Sequence, residues 1–131
     1  MKVSDCNIDD EYQQVNPNEN LSSVRNKYCH FLVVVENKKP IGIVTNNDII
    51  KNIKTKKDYE RLKFKDIMSS PVTSVKLDDD MDKISKIMVK NGFMSLPVIN
   101  GSGDFVGLIT YFDYLGRISE KIERKLEENK E

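Results

Sequence analysis

Two threonine–aspartate pairs with identical spacing are the residues of this chain best suited to hold a small molecule. Thr45 precedes Asp48 by three positions, and Thr110 precedes Asp113 in the same way, at an offset of 65 residues. One carboxylate can accept both hydrogen bonds that the cis-diol of a ribose donates, and such charge-assisted bonds are stronger than neutral ones. A threonine hydroxyl and the first N–H groups of a helix can converge on a phosphate. The two pairs therefore have the chemistry to bind a nucleotide.

Helix capping is the simpler role of each pair, because Thr-x-x-Asp at a strand-to-helix junction is a common N-cap. A single pair would be interpreted in that way. Two pairs in register, each preceded by a glycine and two apolar residues, indicate an internal repeat. A repeat can keep its fold and its caps after losing a ligand, so the repetition supports the fold more strongly than it supports ligand occupancy.

The elements that must position these pairs also repeat along the chain. Each pair ends a predicted β-hairpin whose first strand is an apolar run, residues 31–35 in the first half and 96–99 in the second. Residues 77–91 have apolar side chains at helical spacing behind three aspartates that can cap a helix. Each half is therefore predicted to be a strand, a helix, a two-strand hairpin and a second helix.

An α+β fold with two packed repeats follows, because neither half could bury its sheet face alone. The sheets are predicted to form the core about a pseudo-two-fold axis, with the helices outside and both threonine–aspartate pairs at a central cleft. The repeats are predicted at residues 1–60 and 61–131, with a polar connection at 54–65. Residues 15–24 align with 75–84 at an offset of 60, so the first half lacks five residues and its first helix is expected to be shortened.

The repeated Gly-apolar-apolar-Thr-x-x-Asp segments, residues 42–48 and 107–113, resemble the signature of CBS domains, and the resemblance covers nearly the whole chain. It implies that each aspartate binds ribose hydroxyls, that each threonine binds ribose or phosphate, and that adenine lies between apolar strand residues. It implies a regulatory ligand and no other cofactor. For the base we nominate apolar residues between 68 and 75, with the following strand residues: Met94, Leu96 and Pro97 in the second half, and Leu32 and Val33 in the first.

The function that this resemblance implies is a non-catalytic regulatory module. It would bind AMP, ADP, ATP or an S-adenosyl compound and signal to a partner protein, as a homodimer. In the first half Leu32 stands where Pro97 stands in the second, and the second half is closer to the family pattern. We therefore expect the cleft at Thr110 and Asp113 to bind first or alone.

Two features of the C-terminal helix add to this hypothesis. Arg117 lies one turn after Asp113 and could reach a phosphate, although an arginine in a helix is more often a solvated or ion-paired surface residue. The apolar stripe of the helix could pack on the chain's own core or on a second copy, and it consists of Ile118, Ile122 and Leu126.

Composition excludes several other classes of protein. The chain has 21 basic and 21 acidic residues, so a nucleic-acid or membrane role would need a local patch. Two cysteines and one histidine cannot form a disulfide framework or a structural zinc site. The longest purely apolar run, residues 31–35, is far too short to span a membrane. We expect a soluble, cytoplasmic protein without a metal site.

The main rival function is nucleic-acid binding or a scaffold role, either of which would use the basic linker at residues 51–65. The cations of this segment could neutralise phosphates, and they are Lys51, Lys54, Lys56, Lys57, Arg61, Lys63 and Lys65. A basic segment of this kind is more usually a solvated linker. Catalysis has weaker support. Cys29 and His30 are adjacent, but neighbouring strand residues point to opposite faces, so they cannot readily act as nucleophile and base.

Overall fold

The computed structural model describes residues 1–9, 12–24, 31–70 and 72–129. The chain forms two three-stranded sheets that pack together, with the helices on the outside, as the α+β prediction requires. The first half comprises β1 (Tyr12–Val15), β2 (Phe31–Glu36), β3 (Lys39–Val44), α1 (Asn46–Asn52) and α2 (Lys56–Arg61). The remainder comprises α3 (Phe64–Ile67), β4 (Val75–Lys76), α4 (Met81–Asn91), β5 (Ser95–Ile99), β6 (Phe105–Thr110) and α5 (Tyr111–Glu128).

The two sheets have the same topology. Their orders are β1-β2-β3 and β4-β5-β6, with the first two strands parallel and the last two antiparallel in each. Val33 pairs with Ile43, and Pro97 pairs with Leu108. The counterpart of Pro97 is therefore Val33 and not Leu32, because the turn of the second hairpin is one residue longer.

Helix α4 begins and ends at the signals that the sequence contains. The side chain of Asp80 accepts a hydrogen bond from the Asp82 N–H at 3.0 Å, and Gly92 ends the helix in the left-handed conformation at φ 69°. The apolar face predicted between residues 77 and 91 is buried at Met81, Ile84 and Met88. The helix is therefore fixed by its caps at both ends and by packing of one face.

The first helix of the first half cannot be compared in full with its prediction, since residues 25–30 lie outside the described residues. Shortly before these residues the chain makes a 3₁₀ turn, Leu21–Ser23. The side chain of Asn20 caps this turn by accepting a hydrogen bond from the Ser22 N–H at 3.1 Å.

The segment predicted as a polar connection, residues 54–65, contains a helix instead. Helix α2 is capped by a third threonine–aspartate pair, in which Thr55 Oγ1 accepts from the Asp58 N–H at 3.1 Å and the Asp58 carboxylate accepts from the Thr55 N–H at 3.2 Å. The side chain of Asn20 donates to the Glu60 carbonyl at 2.8 Å and attaches the helix to the first half. Reciprocal capping allows this polar segment to form a regular helix.

The two halves exchange segments. Phe64 and Ile67, after the predicted boundary at residue 60, pack behind the first sheet with Val34 and Val44. Val3 and Cys6, at the start of the chain, pack behind the second sheet with the buried face of α4. Each half therefore supplies part of the other's core, which explains why the halves fold together; the boundary itself stays a prediction.

A separate core lies between the sheets. It is formed by side chains from the facing surfaces of both halves: Phe31, Val33, Val35, Ile43 and Leu108. Burial of this apolar surface is the main force that holds the halves face to face. None of the described helices combines the length and the apolar character needed to cross a membrane.

Candidate ligand-binding cleft

Thr45 and Asp48 form a reciprocal cap at the start of α1. The Asp48 Oδ2 accepts hydrogen bonds from the Thr45 N–H at 2.9 Å and from the Thr45 hydroxyl at 3.1 Å, and the Asp48 N–H donates to Thr45 Oγ1 at 3.4 Å. Capping is therefore one role of this pair. The bonds also fix the carboxylate in one orientation at the end of β3.

Ser69 binds the same carboxylate from the other side. Its hydroxyl donates to Asp48 Oδ1 at 3.2 Å and lies 3.4 Å from Oδ2. Two backbone hydrogen bonds with Ile43, of 2.9 and 3.3 Å, hold Ser69 beside β3. Sequence reasoning missed Ser69, because the predicted contribution of residues 68–75 was apolar and only pairing between distant segments reveals the serine.

A cavity of about 760 Å³ opens beside this carboxylate, between the two halves. The first half and the segment after α3 contribute Phe31, Ile43, Thr45, Asn46, Asn47, Asp48, Lys51, Ser69, Val72 and Thr73. The second half contributes Gly92, Phe93, Met94, Ser95, Leu96 and Phe112. The volume lies within the range of clefts that bind small molecules and cofactors.

The cavity groups the predicted base-binding residues differently from the sequence prediction. Met94 and Leu96 were nominated for the second half's site, together with Thr110 and Asp113. They line the cavity of Thr45 and instead face the first motif. The reason is the packing of the halves, which brings the start of β5 opposite the end of β3.

The other three nominated strand residues lie in the cores. Leu32 packs behind the first sheet and Val33 between the sheets, while Pro97 is fully buried. None of the three is among the described residues that line the cavity. Because neighbouring residues of a strand point to opposite faces, a run of apolar residues cannot all face one ligand.

Thr110 and Asp113 form the same cap at the start of α5. The Thr110 hydroxyl donates to Asp113 Oδ2 at 2.8 Å and accepts from the Asp113 N–H at 3.2 Å. Thr110 is fully buried, whereas Thr45 is partly exposed. Burial raises the pKa of the Cys6 thiol, and the neighbouring Asp113 carboxylate raises it further while Arg117 opposes this. The charges of Asp113 and Arg117 thus act on the Cys6 thiol in opposite directions.

Arg117 has the surface ion pair that the sequence left as one possibility. Its Nη1 lies 3.0 Å from Glu120 Oε2, three residues further along α5. Its Nε is buried and has no hydrogen-bond partner among the described residues. Whether Arg117 reaches a phosphate stays a prediction.

The basic residues of the rival nucleic-acid site lie partly on α2. Lys54, Lys56 and Lys57 lie on or next to α2 and are exposed, and Lys56 pairs with Glu60 at 3.9 Å. Cys29 and His30 lie outside the described residues. Within the described ranges, no group of three or more histidine, cysteine or acidic side chains is placed to hold a metal ion.

Comparison with known proteins shows the family to which this chain belongs. The family model described as the CBS domain matches residues 4–55 and 64–120. An uncharacterized protein of Methanocaldococcus jannaschii, MJ1232, is 33% identical over 92% of this chain and 40% of its own length. Another, MK0525 of Methanopyrus kandleri, is 35% identical over 64% of this chain and 43% of its own length. The chain thus spans less than half the length of these curated relatives.

Solved structures share the fold. The CBS domain pair of protein MJ0100, in complex with 5′-methylthioadenosine and S-adenosyl-L-methionine, superposes with a TM-score of 0.76 at 21% identity, covering 92% of this chain and 98% of that one. The structure of CBSX2 in complex with AMP gives a TM-score of 0.75 at 17% identity, covering 93% and 98%. At these identities the likeness shows the fold alone.

Proposed function

Because the chain belongs to the CBS domain family, we propose that it is a non-catalytic regulatory module that binds an adenosine-type ligand and signals to a partner protein. The observation that carries the proposal is the cavity between the halves, with the oriented carboxylate of Asp48 in its wall. A carboxylate fixed by its own cap is preorganised, so little conformational entropy is lost when a ligand binds it.

The ribose is assigned to Asp48 and Ser69. Within the described part of the chain, Asp48 Oδ1 accepts a hydrogen bond only from the Ser69 hydroxyl, whereas Oδ2 accepts from both Thr45 donors. A hydroxyl of a ribose diol can add to Oδ1, which has a second lone pair. Asp48 therefore keeps its capping bonds when it binds a ligand.

The base is assigned to the apolar part of the wall. Val72, in the segment after α3, lines the cavity together with Leu96 on β5 and Ile43 on β3. Burial of a purine between apolar side chains contributes roughly 25 cal/mol for each Å² of apolar surface removed from water. Binding would also join the two halves, since the wall belongs to both.

Two solved structures that share this fold contain bound adenosine compounds, which supports this choice of ligand. The MJ0100 domain pair holds 5′-methylthioadenosine and S-adenosyl-L-methionine, and CBSX2 holds AMP. We propose Thr110 and Asp113 as the equivalent second site, because they repeat the same cap. The expected order, in which this second site binds first, remains to be tested.

We assign the transmission of the ligand signal to contacts with a second copy of the chain and with an effector protein. Helix α5 leaves large apolar side chains exposed, namely Leu115 at 41%, Ile122 at 53% and Leu126 at 58%. Exposed apolar surface of this kind is typical of a protein–protein interface. A homodimer through this face would connect ligand occupancy at the start of α5 to the assembly.

Thermal unfolding with AMP, ADP, ATP, S-adenosylmethionine and GTP tests the proposal. A ligand present at about a hundred times its dissociation constant stabilises the folded protein by about 2.7 kcal/mol. We expect adenosine compounds to raise the unfolding temperature and GTP to leave it unchanged. The double variant Asp48→Ala, Asp113→Ala should lose the increase.

Asp58→Ala is the matched control, because it removes the same kind of helix cap away from the cavity. It should lower the unfolding temperature of the free protein but keep the increase with ligand. A full increase in the double variant would contradict the proposed site, and no increase with any adenosine compound would contradict the proposed ligand.

A further inference from the structure

The charged side chains of the cavity indicate what the ligand carries beyond its ribose. Asp48 is the one acidic residue and Lys51 the one basic residue among the described residues that line it. The two lie three positions apart on α1, so they leave the same side of the helix with β-carbons about 5–6 Å apart. A cation thus lies one helical turn from the carboxylate assigned to the ribose.

Lys51 has no ion pair within the described part of the chain, although other lysines there do. Lys39 pairs with Asp104 at 3.0 Å, and Lys56 pairs with Glu60 at 3.9 Å. Lys51 itself is exposed at the edge of the cavity. A lysine ammonium on a flexible stem can follow an anion that enters the cavity, because it has no bond to break first.

The remaining polar side chains near Lys51 are neutral. Asn46 and Asn47 on α1 and Thr73 can donate hydrogen bonds to an anion but add no charge. On the facing half, Phe93, Met94 and Phe112 are 39%, 46% and 57% exposed and line the same cavity. A charged group that extended toward these side chains would lose water without gaining a partner, which is unfavourable.

We propose that this cavity selects adenosine ligands with a single 5′-phosphate, and that Lys51 binds that phosphate. The inference depends on the proposed function, because it places the ribose on Asp48. A 5′-phosphate is joined to the ribose through one methylene group, so it lies within reach of a lysine one turn away. A second or third phosphate adds negative charge that no other described cation of the wall offsets, and the sulfonium of an S-adenosyl compound would meet a like charge.

Calorimetric titration of the full chain with adenosine, AMP, ADP and ATP tests this selectivity. We expect AMP to bind about tenfold more tightly than adenosine, the effect of one hydrogen bond to a charged group. ADP and ATP should bind more weakly than AMP, with and without Mg²⁺. The titrations are repeated in the Asp113→Ala variant, which lacks the carboxylate of the proposed second site. The heat measured there then reports binding in the cavity of Thr45 and Asp48.

Lys51→Ala should bring the affinity for AMP down to that for adenosine while leaving adenosine unchanged, and Lys51→Arg should keep the preference. Lys57→Ala is the matched control, since it removes an exposed lysine that does not line the cavity. Its affinities should equal those of the unaltered chain.

Four results would overturn the inference. ATP binding more tightly than AMP, with or without Mg²⁺, would show that the cavity accommodates further charge. An equal loss of adenosine and AMP in Lys51→Ala would show that the lysine shapes the cavity and does not bind phosphate. Equal affinities for adenosine and AMP in the unaltered chain would leave the proposed function standing and remove this inference, whereas no binding of any adenosine compound would remove both.

Discussion

The Asp48 carboxylate caps α1 and also lies in the wall of the cavity. Asp48 uses Oδ2 for the backbone and hydroxyl of Thr45, while Oδ1 faces Ser69 beside the cavity. Capping and ligand binding are therefore compatible roles of one side chain. Thr55 and Asp58 show the cap without a site, because neither lines the described cavity. What lies opposite the cap decides whether the motif can bind, and the spacing does not contain that information.

The glycine of each motif serves the fold. A β-carbon on Gly42 would lie 2.5 Å from Met68 Sδ, and one on Gly107 would lie 2.5 Å from the Ile8 carbonyl oxygen. Each glycine therefore allows another segment of the chain to pass close to its hairpin, because a β-carbon there would collide with that segment.

Alanine substitutions should distinguish the glycines. In Gly107→Ala the obstacle is backbone, so we expect a loss of about 1–3 kcal/mol in the free energy of unfolding, as in an overpacked core. Gly42→Ala should lose less, because the methionine side chain can move. Gly101→Ala is the control, since nothing lies within 4 Å of its β-carbon. Urea unfolding measures all three, and an unchanged stability of Gly107→Ala would contradict the packing described here.

At the level of elements, apolar runs, helical periodicity and capping residues were enough to predict both hairpins and the helix behind the aspartates. Periodicity and caps lie close together in the sequence, so local reasoning finds them. Helix α2 was missed because residues 54–65 lack an apolar period, and its second anchor is Asn20, about forty residues away. The sequence also aligned Pro97 with Leu32, because a turn longer by one residue shifts the register without leaving a signal in the strands.

Capping of α2 should make stability depend on pH. Hydrogen bonds from the Lys54 backbone N–H and from Thr55 lower the pKa of Asp58 below its ordinary value. The folded state thus favours the ionised carboxylate, and its contribution is fully present above the ordinary aspartate pKa of about 3.9. It is lost as the pH falls through the lowered pKa of the folded protein.

Asp58→Asn tests this dependence by urea unfolding at neutral and at acidic pH. We expect the unaltered chain to be more stable than the variant at neutral pH, and the difference to shrink as the pH falls below about 3.9. A difference that stays constant across this range would assign the effect to the shape of the side chain and not to its charge.

At the level of the whole molecule, the two halves contact each other through oppositely charged side chains at equivalent positions. Lys39 and Asp104 occupy equivalent positions at the offset of 65, and their side chains pair at 3.0 Å. The Phe105 N–H donates to the Lys38 carbonyl at 2.7 Å next to this ion pair. Pairing of like halves would place like charges together, so the ion pair favours the arrangement within one chain.

The composition of the cavity depends on this arrangement. Thr45 and Asp48 come from one half, and Met94, Leu96 and Phe112 come from the other. The residue types could be predicted from the motif, but their grouping follows from how the sheets face each other. Sequence reasoning grouped Met94 and Leu96 with the second motif, whereas in the structure they line the same cavity as Asp48 of the first motif.

A crystal structure of the chain with AMP would show directly whether Asp48 binds the ribose. We expect ribose hydroxyls within about 2.6–3.2 Å of the Asp48 carboxylate, with the adenine against Val72 and Leu96. Crystals grown at a saturating AMP concentration in which this cavity holds no nucleotide, or holds one whose ribose lies away from Asp48, would contradict it.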